Sequence, residues 1–115
     1  MNAAEQTKYQ VACTKSDLIA QSGVCVLIED TQIALFYLPQ ETPQVYALSN
    51  WDPIGKANVM SRGIIGDIDG ELVVASPLYK QHFSLTDGLC LEDSDASLES
   101  YEVSLQGDNV LISLK

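Results

Sequence analysis

The stretch that decides the fold is Ile64-Ile65-Gly66-Asp67-Ile68-Asp69-Gly70-Glu71-Leu72-Val73-Val74-Ala75. Its centre is Asp69-Gly70, a dipeptide typical of two-residue hairpin loops, because a type I′ turn needs positive φ at both central residues. The runs on either side are rich in Ile and Val, which favour strands. The stretch therefore predicts an antiparallel β-hairpin over residues 64–75.

The same pattern continues along the rest of the chain, where short runs of Val, Ile, Leu and Tyr alternate with Gly, Asp, Asn and Pro. This alternation of strand-forming runs with turn-forming residues predicts an all-β fold with only short helical turns. Further hairpin turns are expected at Glu29-Asp30 and Gln106-Gly107-Asp108-Asn109, whereas residues 94–99 fit either a helical turn capped by Ser94 or an ordered loop. The predicted strands cover residues 9–13, 24–28, 32–38, 44–48, 64–68, 71–75, 82–85, 101–105 and 110–114.

Length and charge limit the classes of function. The 115 residues are enough for one hydrophobic core, so we expect a single domain over residues 1–115 whose first eight residues fray, without internal repeats. The formal net charge of -10 would repel nucleic acids and anionic membranes, and neither is an expected partner. No long apolar run or signal-peptide pattern is present, which predicts a cytoplasmic protein.

The three cysteines, Cys13, Cys25 and Cys90, are widely spaced, and His82 is the single histidine. We expect the cysteines to be small buried side chains, with Cys25 on a core strand. Cys90 follows Gly88-Leu89 near an acidic loop, and acidic neighbours would raise a thiol pKa and oppose reactivity. Three widely spaced cysteines and a single histidine predict no structural zinc site.

Two loops then stand out, Asn50-Trp51-Asp52-Pro53-Ile54 and Ala75-Ser76-Pro77-Leu78-Tyr79-Lys80-Gln81-His82-Phe83. Together with the strand ending at Asn50, the hairpin between the loops and the closing hairpin, they resemble the cluster-binding loops of a Rieske iron-sulfur domain. The segment between the loops is slightly longer than is usual in that family. The resemblance covers nearly the whole chain and implies a Rieske-like antiparallel β-sandwich with two loops at one tip.

A Rieske centre takes two thiolates and two imidazoles from a Cys-x-His and a Cys-x-x-His motif. By the resemblance, those four positions hold Asp52, Ile54, Ser76 and Tyr79. Ile54 cannot bind iron, Ser76 and Tyr79 are poor ligands at neutral pH, and Asp52 offers only a hard oxygen. We therefore expect no cluster, other metal or cofactor in this chain, and we expect Tyr79 to fill the space of the missing cluster.

Among Rieske-like proteins the chain is similar to the small subunits of assimilatory NAD(P)H-dependent nitrite reductases, which lack the cluster ligands. The resemblance implies an accessory subunit, itself not catalytic, of a cytoplasmic enzyme that reduces nitrite to ammonium in nitrate and nitrite assimilation. Its partner would be the large subunit, which in that family holds FAD, a [4Fe-4S] cluster and sirohaem. The matching segments are residues 23–25, 32–36, 45–50, 52–53, 60–63, 70–72, 74–78 and 86–93.

Two other functions fit less well. A stand-alone electron carrier would need a [2Fe-2S] centre with unusual ligands, and a β-sandwich protein-interaction module would bind some other partner. Catalysis by Ser76 is not expected, because no Gly-x-Ser-x-Gly elbow surrounds it and His82 would be its sole base. Asp52 is interpreted as a loop hydrogen bonder and His82 as a strand residue.

Basic residues are unevenly distributed. Between Ser16 and Leu114 they are Lys56, Arg62 and Lys80, all in or beside the two loops. With Trp51 as an aromatic anchor, this less negative tip would dock the large subunit, because complementary charge speeds association. The alternative is that three long side chains only solvate a loop end and that Trp51 is partly buried as a loop support. A group of acidic residues is interpreted as a solvated face, namely Glu92, Asp93, Asp95 and Glu99.

Overall fold

The computed structural model describes residues 9–114, and the expected fraying of the first eight residues lies outside this part. Its strand pairs are antiparallel, and helix is limited to 3-10 turns at Lys15–Asp17 and Met60–Arg62, as the all-β prediction required. No helix within residues 9–114 is long and apolar enough to cross a membrane. The strands are β1 (Tyr9–Thr14), β2 (Ser22–Ile28), β3 (Thr31–Tyr37), β4 (Val45–Ser49), β5 (Trp51–Asp52), β6 (Ala57–Asn58), β7 (Ile64–Ile68), β8 (Glu71–Ala75), β9 (His82–Ser84), β10 (Ser100–Gln106) and β11 (Asn109–Ser113).

The hairpin over residues 64–75 is confirmed. Strands β7 and β8 pair from Ile64 opposite Ala75 to Ile68 opposite Glu71. At the turn, φ is 52° at residue 69 and 89° at residue 70, which is the positive-φ pair that Asp-Gly favours. The sequence-predicted strands agree with the structure to within two residues at each end, but the two-residue strands β5 and β6 were not predicted.

The other two predicted turns also form. Glu29 and Asp30, with φ of 49° and 69°, join β2 to β3, and a turn containing Gly107, with φ of 61°, joins β10 to β11. Of the two alternatives for residues 94–99, the structure shows the ordered loop. The chain turns at Ser94-Asp95 and then runs without helix into β10.

The larger sheet has six strands in the order β1-β11-β10-β4-β3-β2. Its edge strands β1 and β2 contact each other, so the sheet curls towards a barrel around one apolar cluster. A second sheet, β7-β8-β9, covers part of the outer face of the first, while β5 and β6 form a separate short pair. The two packed antiparallel sheets confirm the predicted β-sandwich.

Strand β3 belongs to both halves of the core, because successive side chains of a strand point to opposite faces. Ile33 and Leu35 face the cluster inside the curled sheet, and Ala34 and Phe36 face the cluster between the two sheets. All four residues are fully buried. The alternation anchors both layers to one strand, next to the start of the first loop.

The cysteines differ from the prediction. Cys90 is buried, but Cys13 is half-buried and Cys25 is exposed. Cys25 points away from the curled sheet on an edge strand that the second layer leaves uncovered, so its assignment to the core was wrong. Partial desolvation of its thiol raises the pKa of Cys25, and partial burial together with the charge of Asp17 raises the pKa of Cys13.

Candidate functional site

The two loops meet at one end of the sandwich through a buried polar contact. We name them the first loop, residues 50–59, and the second loop, residues 76–81. The Ser76 hydroxyl donates a hydrogen bond to Oδ2 of Asp52. Both residues are almost inaccessible to solvent, with 0% of Asp52 and 1% of Ser76 exposed. Two of the four vestigial ligand positions are therefore bonded to each other.

Asp52 also organises its own loop. Its Oδ1 accepts hydrogen bonds from the backbone N–H groups of Ile54, at 2.8 Å, and Gly55, at 3.0 Å. Together with Ser76, three donors surround the carboxylate. A buried carboxylate needs such donors because an unpaired charge is very costly to remove from water. Asp52 is thus the loop hydrogen bonder that the sequence predicted, in a more buried position than a surface turn would give.

The two loops share one backbone turn. The N–H of Lys56 donates to the carbonyl of Asp52 at 2.7 Å, and the N–H of Lys80 donates to the carbonyl of Ser76 at 3.1 Å, so each turn contains five residues. The backbone of both lysines lies in the left-handed region, with φ of 61° and 64°. The two turns show a short local repeat that was not among the sequence predictions: Asp52-Pro53-Ile54-Gly55-Lys56 and Ser76-Pro77-Leu78-Tyr79-Lys80 share Pro, then Ile or Leu, and a final Lys.

The loops differ at the fourth turn position, which is Gly55 in the first loop and Tyr79 in the second. A Cβ atom at residue 55 would lie 2.4 Å from Cδ1 of Leu78 and 3.0 Å from Oδ2 of Asp52. A side chain at residue 55 would have to displace Leu78 of the second loop, which lies over the first loop. Apolar contact thus adds to the Asp52–Ser76 hydrogen bond in holding the loops together.

Asn50 fixes the base of the first loop and was not singled out from the sequence. Only 2% of this residue is exposed. Its backbone N–H and side-chain amide donate to the backbone and side-chain oxygens of Gln32 at 3.0 and 3.1 Å. Its carbonyl and Oδ1 accept from Met60 at 3.0 Å and from Ser61 at 2.7 Å. The loop is therefore bonded to β3 on one side and to the 3-10 turn on the other.

The second loop has a different anchor. Its base is closed by a hydrogen bond from the N–H of Ser76 to the carbonyl of Gln81 at 2.9 Å. The next residue, His82, begins β9 and pairs with Glu92, 2.6 Å from Nδ1 to Oε2, while its N–H donates to Oε1 at 2.8 Å. Burial acts to raise the pKa of Glu92, but the hydrogen bonds and charge of His82 outweigh it and leave the pKa below its ordinary value.

Tyr79 does not fill the space of a cluster, so that prediction was wrong. Its side chain is 65% exposed, because the turn of the second loop directs it outward. The space between the loops is taken instead by the Asp52–Ser76 pair and by Leu78. Ile54 is half-buried and packs against the cluster between the two sheets.

These residues do not fit a [2Fe-2S] cluster. The four ligand positions supply a carboxylate, an alkyl group, a hydroxyl and a phenol, whereas a Rieske centre needs two thiolates and two imidazoles. The carboxylate and the hydroxyl already bind each other. Within residues 9–114, no three His, Cys, Asp or Glu side chains are grouped so that they could hold a metal ion.

The structure brings the four sequence-predicted docking residues to the same end of the molecule. Trp51, Lys56 and Lys80 lie in the two loops and are exposed. Arg62 is also exposed and lies beside the second loop, because Ile64 pairs with Ala75 where β8 ends. None of the three cations forms an ion pair with a carboxylate of the described residues.

A cleft between two strands of the larger sheet lies away from the loops. Strands β4 and β10 pair only through Leu48 with Ser100 and Ala47 with Tyr101, and beyond these pairs they separate and leave a cavity of about 450 Å³. Tyr46 and Tyr101 line it, and burial raises the pKa of both hydroxyls. The cleft contains no histidine or cysteine, and it shares no residue with the loop tip.

Comparisons with known proteins agree with this geometry. Residues 8–113 match the Rieske-like [2Fe-2S] domain family. The chain is 44% identical over 100 residues to the nitrite reductase (NADH) small subunit of Escherichia coli strain K12, covering 87% of this chain and 92% of that one. A solution NMR structure of the nitrite reductase [NAD(P)H] small subunit from Erwinia carotovora superposes with a TM-score of 0.79 at 44% identity, covering 95% of this chain and 83% of that one.

A third relative is a much longer protein. Over 104 residues the chain is 36% identical to part of the nitrite reductase [NAD(P)H] large subunit of Klebsiella oxytoca, covering 90% of this chain but only 11% of that protein. The same domain thus occurs both as a separate small subunit and within a large-subunit chain. On this evidence the chain belongs to the Rieske-like [2Fe-2S] domain family, in the group that includes the nitrite reductase small subunits.

Proposed function

We propose that this chain is a non-catalytic accessory subunit of a cytoplasmic nitrite reductase [NAD(P)H]. It binds the large subunit, which carries FAD, a [4Fe-4S] cluster and sirohaem, and so supports the reduction of nitrite to ammonium in nitrate and nitrite assimilation. The chain is one domain over residues 1–115. It takes part in the reaction through its partner and holds no reacting group of its own.

The observation that carries the proposal is the match inside the large subunit of Klebsiella oxytoca. A region homologous to nine-tenths of this chain is covalently part of that protein. Fusion gives two domains a high effective concentration for each other, and a domain that is a separate chain must reach the same partner through a binding surface. The similarity to the separate small subunit of Escherichia coli agrees with this arrangement.

The geometry of the loops supports an accessory role over electron transfer. Four positions of this chain correspond to those that ligate iron in Rieske domains. Two of them, Asp52 and Ser76, are hydrogen-bonded to each other in the interior. A stand-alone carrier would require these groups to separate and thiolates to replace them. Cys13, Cys25 and Cys90 all lie outside the two loops.

The test is purification of the chain alone and after co-expression with its large subunit, both under anaerobic conditions. We expect the isolated chain to be colourless and free of iron and acid-labile sulfide. The co-expressed chain should purify with the flavin- and sirohaem-containing partner. Adding the isolated chain to large subunit prepared without it should raise NAD(P)H-dependent nitrite reduction or the stability of the complex.

Two results would overturn the proposal. Stoichiometric iron and sulfide in the isolated chain would make it an electron carrier of the Rieske type. A colourless chain that does not bind the large subunit, during co-expression or after mixing, would favour the alternative function, a protein-interaction module for another partner.

A further inference from the structure

We propose that the exposed end of the two loops is the surface that docks the large subunit, through an apolar depression bordered by carboxylates on the partner. This inference rests on the proposed function and names the surface and chemistry through which it acts. We call the surface the docking tip, and it consists of Trp51, Lys56, Arg62, Leu78, Tyr79 and Lys80.

The docking tip exposes three large apolar side chains on its two loops. Trp51 is 45% exposed, Leu78 is 43% exposed and Tyr79 is 65% exposed. Trp and Tyr are the residues most enriched among those that dominate binding energy at protein interfaces. Two such aromatic side chains, together with the apolar Leu78, on two adjoining loops therefore indicate a contact surface.

The charge of the docking tip is opposite to that of the rest of the chain. Residues 50–63 and 75–82 include Lys56, Arg62 and Lys80, and their single acidic residue is Asp52. Because Asp52 is completely buried, these segments expose no carboxylate, although the chain carries 16 acidic residues and a net charge of -10. The complementary partner surface is anionic around an apolar centre.

The backbone of the two lysines gives an independent reason to assign them a role. Lys56 and Lys80 both occupy the left-handed region, where a Cβ atom is unfavourable and glycine would relieve the strain. Neither lysine has an ion-pair partner among the described residues that would explain its presence. Strained backbone conformations cluster at functional sites, and although Gln21, Glu29, Asp30 and Asp69 also have positive φ at turns, the two lysines occupy equivalent positions of the two loops.

The docking tip is also rigid enough to serve as a preformed surface. Asp52 and Ser76 link the loops from inside, Asn50 bonds the first loop to β3, and His82 with Glu92 holds the end of the second. Binding by a preorganised surface loses less conformational entropy than binding by flexible loops. The exposed side chains thus project from a framework that is already fixed before the partner arrives.

The experiment measures the affinity of the holo large subunit for the chain by isothermal titration calorimetry at low and at physiological salt. The variants are Lys56→Glu, Lys80→Glu and, as a matched control, Lys15→Glu. Lys15 lies at the opposite end of β10, where its N–H donates to Asp108, roughly 20 Å along the strand from the tip. We expect each tip variant to bind on the order of tenfold more weakly at low salt, with a smaller loss at high salt, and the control to match the wild type.

A fourth variant, a double substitution, separates docking from folding. Lys56→Gly/Lys80→Gly removes both charges and relieves both left-handed lysines, so its thermal unfolding midpoint should equal or exceed that of the wild type. Its affinity for the large subunit should nevertheless fall. A chain that is at least as stable and binds less tightly cannot owe its defect to misfolding.

The outcomes distinguish the two proposals. If the wild type binds the large subunit and all four variants bind equally well, the docking tip is overturned and the proposed function stands. If Lys15→Glu weakens binding as much as the tip variants do, the effect is one of net charge and the assignment to the tip is likewise overturned. If the wild type does not bind at all, the proposed function falls and the docking tip falls with it.

Discussion

The two loops of the docking end use the same backbone turn but opposite hydrogen-bonding chemistry. In the first loop, the side chain of Asp52 accepts bonds from two backbone N–H groups and one hydroxyl. In the second loop, Ser76 donates to that carboxylate and accepts from the N–H of Leu78 at 3.2 Å. Neither loop satisfies its polar groups alone. The comparison shows how side chains can connect two loops that metal ions connect in iron-sulfur relatives.

Replacing Asp52 should have the largest effect, because it tests the centre of this connection. Asp52→Ala leaves the buried Ser76 hydroxyl and two partly buried backbone N–H groups without their acceptor, and we expect the free energy of unfolding to fall by about 3–5 kcal/mol. Chemical denaturation of the purified chain measures this. Asp52→Asn keeps an oxygen for the two backbone donors and should lose less. A loss below about 1 kcal/mol for the alanine variant would show that the carboxylate does not hold the loops.

Replacing Ser76 tests the connection from the second loop. Ser76→Ala removes one donor from Asp52 and the acceptor of the Leu78 N–H, while the two backbone donors to the carboxylate remain. The expected loss of unfolding free energy is about 1–3 kcal/mol, smaller than for Asp52→Ala. Ser100→Ala, at an exposed serine of β10, is the matched control and should change stability little. Equal effects of Ser76→Ala and Ser100→Ala would contradict the cross-loop role.

Gly55 tests the apolar half of the connection. Ala at this position would press on Leu78, which is exposed and can move, and on the Asp52 carboxylate, which is fixed by its donors. We expect Gly55→Ala to lower the free energy of unfolding by about 1–2 kcal/mol. Gly66→Ala is the control, because no atom lies within 4 Å of its added Cβ. Stability that is unchanged in both variants would mean that the loops are not in close contact.

The anchors of the two loops differ in charge, which predicts a difference in their response to pH. The first is held by the neutral Asn50 and the second by the His82–Glu92 pair. Since the folded-state pKa of Glu92 is lowered, its contribution to stability is present above the unfolded pKa and is lost as pH falls through the folded pKa. The effect is small because Glu92 is partly exposed and screened by water.

The measurement for this anchor compares the wild type with Glu92→Gln from neutral pH down to pH 3. We expect the difference in unfolding free energy between the two proteins to shrink as Glu92 takes up its proton. A constant difference over that range would show that the charge of Glu92 does not stabilise the second loop.

Tyr79 should give the smallest effect on stability. Because its side chain is mostly exposed, Tyr79→Ala should change the free energy of unfolding by no more than about 0.5 kcal/mol, as is usual for surface positions. The same variant should bind the large subunit more weakly, since Tyr79 belongs to the docking tip. A clear loss of stability would instead restore the packing role that the sequence first predicted for it.

The parts of the fold that could be predicted from sequence depend on local chemistry. Asp69-Gly70 and Glu29-Asp30 specify turns by themselves, and the flanking apolar runs form the strands. The exposure of Cys25 and Tyr79 could not be predicted, because it depends on where the second layer ends and how a loop turns. The Asp52–Ser76 bond joins residues far apart in the chain. The repeated Pro and Lys spacing was the one local signal for the shared turn.

Trp51 gives the molecule a built-in optical reporter. It is the single tryptophan of the chain, and it lies half-exposed at the docking end, one residue before the buried Asp52. Its indole fluorescence therefore reports the polarity around the docking end and nowhere else. Loosening of the distant edge of the six-stranded sheet would leave that signal unchanged, whereas a protein surface closing over the loops would exclude water from the ring and shift the emission to shorter wavelength.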